Sequence, residues 1–188
     1  WKAKRWGGQD GRVTRTETKE SPWVTDPEGA DFDLDHLVTE DDEPVDNFFS
    51  AKQQRLLVES LYSSWAGPSN GPFLADTNVG VFATARATPV VPDVFLSLNV
   101  QVAQNWWHKR HRSYLLTEFH KPPDVVIEIV SNQKGNEDQS KLQEYATLGI
   151  RYYLIFDPTE QLKQGVLRLY ELRNQQYVKL TTPWLAAV

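Results

Sequence analysis

Residues 122–146 read PPDVVIEIVSNQKGNEDQSKLQEYA, and within them Val125 to Val130 are aliphatic except for Glu128. So short an apolar run, followed by the polar stretch 131–138, predicts a buried central strand rather than a helix. Side chains alternate along a strand, so Val126, Glu128 and Val130 face one side while Val125, Ile127 and Ile129 face the other. Glu128 therefore lies beneath a layer of the fold. An isolated ionised carboxylate there costs several kcal/mol unless it takes a proton, pairs with a cation or binds a metal.

The flanks say what kind of sheet this strand belongs to. Downstream, Asp138 or Ser140 is placed to cap a helix in which Leu142, Tyr145, Ala146 and Gly149 share one face, with the glycine ending it. IRYYLIFDP (150–158) is a second buried strand stopped by Asp157-Pro158, and GVLRLYEL and YVKLT pair as a hairpin around Arg173 to Gln176. Upstream, Phe49, Leu57, Val58, Leu61, Tyr62 and Trp65 recur at three- and four-residue spacings, which predicts a core-facing helix from Asn47 that ends at Gly67-Pro68. Residues 72–98 read as short strands, the last of them Val94 to Leu98 after Pro92-Asp93. Residues 101–123 have no clean period and read as a long connection or a small excursion. No internal repeat interrupts this α/β order.

Composition agrees with one globular domain and an appended arm. The chain has 188 residues, 40% hydrophobic and 24% charged. It has no cysteine, which excludes disulfides and thiolate metal sites. No apolar run approaches the roughly 18 residues of a membrane span, and the opening WKAKRWGG has no apolar signal-peptide centre, so a cytoplasmic protein is expected. The lack of any methionine points to a portion of a longer chain. Charge is lopsided: residues 1–46 carry 13 acidic and 6 basic side chains, a balance of −7, against 12 acidic and 14 basic in 47–188, a balance of +2. The first 46 residues are therefore read as an extended or partly disordered acidic arm, able to solvate or to screen a basic surface, and 47–188 as the domain.

Two residues are placed to converge on Glu128. Asp93 opens the preceding strand, and antiparallel pairing of the two strands would set its carboxylate beside Glu128. Lys141 lies early in the following helix, which must pack back over the sheet. Two carboxylates and an ammonium in one pocket suit a hard divalent cation and an oriented water, the needs of metal-assisted phosphodiester hydrolysis. A structural ion pair is the plain alternative for a lone buried glutamate. Asp124 follows a proline as Asp93 does, but it lies about 13 Å from Glu128 along the strand, at about 3.3 Å per residue.

With PDV at 92–94, VVIEIVS at 125–131, Lys141, Tyr145-Ala146, Leu148-Gly149 and IRYYLIFDP, the chain resembles the putative restriction endonuclease family of bacteria, within the PD-(D/E)XK nuclease superfamily. The resemblance covers roughly 47–182 and is most specific over 123–158. It implies a three-layer α/β/α restriction endonuclease-like core with a central mixed sheet. It also implies an aspartate and a glutamate that bind Mg or Mn: Asp93 matches the first acid and Glu128 the second, with the main-chain carbonyl of Ile129 as a further metal ligand. The superfamily's common lysine, two residues after the second acid, is here Val130. Lys141 matches the helix lysine that replaces it in this family, in the role of orienting or deprotonating the attacking water. Glu59, on the first predicted helix, is a candidate for a supporting carboxylate, although helix glutamates are usually solvated.

Trp106, Trp107, His108, Lys109, Arg110, His111 and Arg112 set stacking surfaces beside positive charge, as a DNA-contacting loop would. Packing of the tryptophans on the domain or on a second subunit is the equal alternative, and a homodimer is compatible with it. The histidines lack the partners of a zinc site. Three functions follow: a metal-dependent endonuclease acting on DNA, a non-catalytic nucleic-acid- or protein-binding module on the same fold, and a structural oligomer module.

Overall fold

Hydrophobic alternation divides the strands between two faces, and the architecture follows from what covers each. The computed structural model describes residues 47–84, 87–105, 111–131, 140–182 and 184–185. Residues 1–46, read above as an acidic arm, residues 106–110 and the candidate cap Asp138 lie outside them. The elements are α1 (Phe48–Ser64), β1 (Phe73–Thr77), β2 (Val81–Phe82), β3 (Val94–Leu98), β4 (Tyr114–Leu115), α2 (Leu116–Phe119), β5 (Val125–Ile129), α3 (Ser140–Leu148), β6 (Tyr152–Phe156), β7 (Leu167–Arg173) and β8 (Gln176–Lys179). Six strands form one mixed sheet in the order β1-β3-β5-β6-β7-β8, parallel between β5 and β6 and antiparallel elsewhere. Strands β2 and β4 form a small parallel pair of their own.

One face of the sheet presents Ala75, Val94, Leu96, Leu98, Val125, Ile129 and Tyr152, and α1 covers it with Val58, Leu57, Leu61 and Trp65. The other face presents Leu74, Phe95, Val126, Tyr153 and Ile155 beneath Tyr145 of α3 and Tyr114 of β4. The result is an α/β/α core of three layers with helices on both sides of the sheet, as expected for a parallel β5-α3-β6 unit. Residues 101–123, read as a long connection or a small excursion, supply β4 and α2 to this second face.

Local chemistry sets the boundaries. Asn47 caps α1, its side chain accepting Ser50 N–H at 2.9 Å. The helix ends at Ser64, three residues before Gly67, because Trp65 already takes an extended backbone. Gly149 adopts φ +77° just past α3, and Ile150 N–H closes on the Tyr145 carbonyl, a helix stop that needs left-handed backbone. Asn174 and Gln175 both have positive φ, which matches a two-residue hairpin turn between β7 and β8.

Tyr62 departs from its expected core position. Its side chain is 49% exposed; the ring stacks on Phe73, and the hydroxyl bonds both Ala75 N–H and Ala75 C=O on the outer edge of β1. No helix among the described residues is long and apolar enough to cross a membrane.

Candidate active site

The site grows from the pairing of β3 with β5. Val94 lies opposite Ile127 and Leu96 opposite Val125, so continuing the antiparallel register by one residue sets Asp93 opposite Glu128. Pro92 comes next and takes the chain out of the ladder, since it has no N–H to offer. The main-chain N–H of Ile129 is then satisfied by the Asp93 side chain, whose Oδ2 accepts it at 2.7 Å. Asp93 Oδ1 accepts from the Gln54 amide of α1 at 3.2 Å. Gln54 is 3% exposed and exchanges two amide hydrogen bonds with Asn78, which follows β1 and has φ +53°.

Glu128 is 1% exposed and faces α3. Lys141 Nζ lies 2.6 Å from its Oε2, while the Tyr145 hydroxyl donates to Oε1. The two donors are four residues apart, hence one above the other on one face of the helix. Burial pushes the Glu128 carboxyl up to about 7; Lys141 opposes this, the Asp93 charge adds to it, and Tyr145 opposes it. Burial also pushes the Tyr145 hydroxyl far above the usual phenol range, and the Glu128 charge pushes it further, so it remains a donor.

The donor set suits a hard cation. Two carboxylates from facing strands would supply oxygen ligands; among the described residues no group of three or more His, Cys, Asp or Glu gathers that could hold a metal ion. Two carboxylates and one carbonyl fit Mg or Mn, which keep several waters.

A family model described as Putative restriction endonuclease (Uma2) matches residues 38–185. The chain belongs to that family. The crystal structure of a putative nuclease belonging to DUF820 from Anabaena variabilis ATCC 29413 has a similar fold, with a TM-score of 0.50 and 18% sequence identity over 75% of this chain and 72% of that one. No curated protein matches the chain. The fold is restriction endonuclease-like, and the family is one of nucleases.

Within this family member, Asp93, Glu128, Ile129 and Lys141 meet at one end of β5. Asp124 is at the other end of the strand, where its Oδ2 accepts Leu98 N–H at 2.7 Å and pairs with Lys121. Glu59 is exposed on α1; the α1 side chain that meets the acids is Gln54. Of the aromatic and basic cluster, Trp106 to Arg110 lie outside the described residues. His111 Nδ1 is 2.7 Å from the Asn105 carbonyl, and Arg112 is exposed. Gln54 and Asn78 are site neighbours that the sequence pattern did not single out, and Tyr145, named there on the inward face of the helix and in the resemblance, was given no place at Glu128. Gln54 had one signal, a polar residue on the apolar stripe one turn before Val58. Tyr145 had another, its place one turn after Lys141.

Proposed function

We propose that the chain is a metal-dependent endonuclease that hydrolyses phosphodiester bonds of DNA, with Asp93, Glu128 and Lys141 as its catalytic residues and Mg or Mn as its cofactor. The observation that carries this reading is the junction at one end of β5. Asp93 is bonded to the residue after Glu128, and the Glu128 carboxylate is buried against Lys141.

Asp93 and Glu128 would hold the cation. The Ile129 carbonyl joins them, because Val130 N–H bonds Phe156 on the β6 side, and alternation turns the main-chain groups of Ile129 toward Asp93. When bound, the ion supplies Lewis-acid stabilisation of the phosphate and lowers the pKa of water. Lys141, with a side chain 36% exposed, reaches from the solvent edge of α3 into the site. There it orients the attacking water and offsets charge that develops on the phosphate. Burial raises the Glu128 pKa; Lys141 favours its ionised form, and a bound cation would do the same.

The test is nicking of supercoiled plasmid by the full chain with Mn²⁺, with EDTA, and by Glu128→Gln with Mn²⁺. Cleavage is expected only in the first. Equal cleavage by the variant, or none by the wild-type chain across pH 6–9 with Mn²⁺ or Mg²⁺, would overturn the reading.

A further inference from the structure

A glutamate side chain ends in a carboxylate that rotates over a broad torsional well, so burial in a strand does not decide which oxygen faces a neighbouring ligand. Here helix α3 decides it. Tyr145 is 1% exposed, packed with Val126, Val130 and Tyr153, its ring 5.4 Å from that of Tyr153. Its hydroxyl meets Glu128 Oε1 on the core side. One turn earlier, Lys141 meets Oε2 on the side that reaches solvent. The two oxygens are thus inequivalent: one meets a fully buried ring, the other a long side chain that is 36% exposed.

Resting on the nuclease reading of this site, we propose that Tyr145 is a positioning residue: its hydroxyl locks the plane of the Glu128 carboxylate so that Oε2 is the oxygen offered to the divalent cation. Tyr145 touches neither cation nor DNA and acts through Glu128. A hydroxyl with a purely structural role would change stability alone. One that sets the orientation of a ligand changes metal affinity, by about 10- to 100-fold in comparable outer-sphere contacts.

The experiment is direct Mn²⁺ titration of the full chain at pH 8 by electron paramagnetic resonance, together with plasmid cleavage as a function of Mn²⁺. Wild type is compared with Tyr145→Phe and with Tyr177→Phe, a matched control. The Tyr177 hydroxyl is in the same layer and donates to the Ile150 carbonyl at 2.6 Å, away from Glu128. Tyr145→Phe is expected to raise the Mn²⁺ Kd about tenfold or more. The half-saturating Mn²⁺ for cleavage should rise equally, and the rate at saturating Mn²⁺ should recover to within a few-fold. Tyr177→Phe is expected to leave the Kd unchanged. An unchanged Kd for Tyr145→Phe, or an equal shift in both variants, overturns the inference while leaving the nuclease reading in place; a wild-type chain that binds no Mn²⁺ overturns both. A measurement on the unaltered protein guards against a Tyr145→Phe chain that does not fold. With tyrosine labelled at the ζ-carbon, Mg²⁺ should shift a tyrosine NMR signal, and a spectrum in which none responds overturns the inference.

Discussion

The Asp93 carboxylate accepts the main-chain N–H of Ile129, so the first acid is fastened to the strand that carries the second. Separating the carboxylate's charge from its hydrogen bond gives a clear pair of variants. Asp93→Asn keeps an oxygen acceptor for Ile129 and is expected to stay folded while losing Mn²⁺-dependent cleavage by at least about 100-fold. Asp93→Ala should lose cleavage equally and, by leaving a buried N–H without its acceptor, should also lose about 1–3 kcal/mol of stability in urea unfolding. Retained cleavage in either would remove Asp93 from the site.

Lys141 is expected to be needed both for cleavage and for tolerating the Glu128 charge. Lys141→Met should abolish nicking, and Lys141→Arg should not restore it, because a planar guanidinium cannot occupy the place of a point-like ammonium 2.6 Å from Oε2. The melting temperature of Lys141→Met should fall further below wild type at pH 8 than at pH 5.5. Only the ionised carboxylate requires a counter-charge.

The raised Glu128 pKa sets the pH behaviour. Its folded value of about 7 exceeds the ordinary glutamate value of 4.5, so between these limits the folded state holds a proton that the unfolded state has released. This group's contribution to metal-free stability is therefore fully present below about pH 4.5 and is lost as pH rises through about 7, on the order of 3 kcal/mol in total. Mn²⁺ affinity runs the opposite way, rising through the same window as the carboxylate ionises. Glu128→Gln should flatten the stability contribution and remove the metal response; thermal melts from pH 5 to 8.5, with and without Mn²⁺, measure both.

The two Pro-Asp steps should separate by function. Asp124→Asn disturbs the Leu98 and Lys121 contacts at the far end of β5 and is expected to lower the melting temperature while leaving Mn²⁺ affinity and cleavage per folded molecule unchanged. Gln54→Leu removes the amide donor that steadies Asp93 and should weaken Mn²⁺ binding several-fold. Isothermal titration of both variants decides between the assignments.

What could be read from the sequence follows from how local each signal is. The strand around Glu128, the helix stopped by Gly149 and the β7-β8 hairpin each carry their cause within a few residues, so periodicity and turn chemistry suffice. Joining Asp93 to Glu128, with 34 residues between them, requires a register between two separate strands, which only the resemblance and the antiparallel assumption supplied. The Gln54–Asn78–Asp93 chain depends on how α1 docks across β1 and β3, and no pattern within α1 encodes that docking. Tyr145 read as core because it is core; that its hydroxyl also reaches Glu128 depends on the depth at which α3 lies over the sheet.

Tyr62 turns an apparent imperfection of the first helix into protection against self-assembly. A border strand with open amide and carbonyl groups invites another chain to dock and extend the ladder, and one phenol answers both groups of Ala75 at once. Replacing it with phenylalanine should leave the monomer folded but make concentrated solutions prone to form fibrils through that rim.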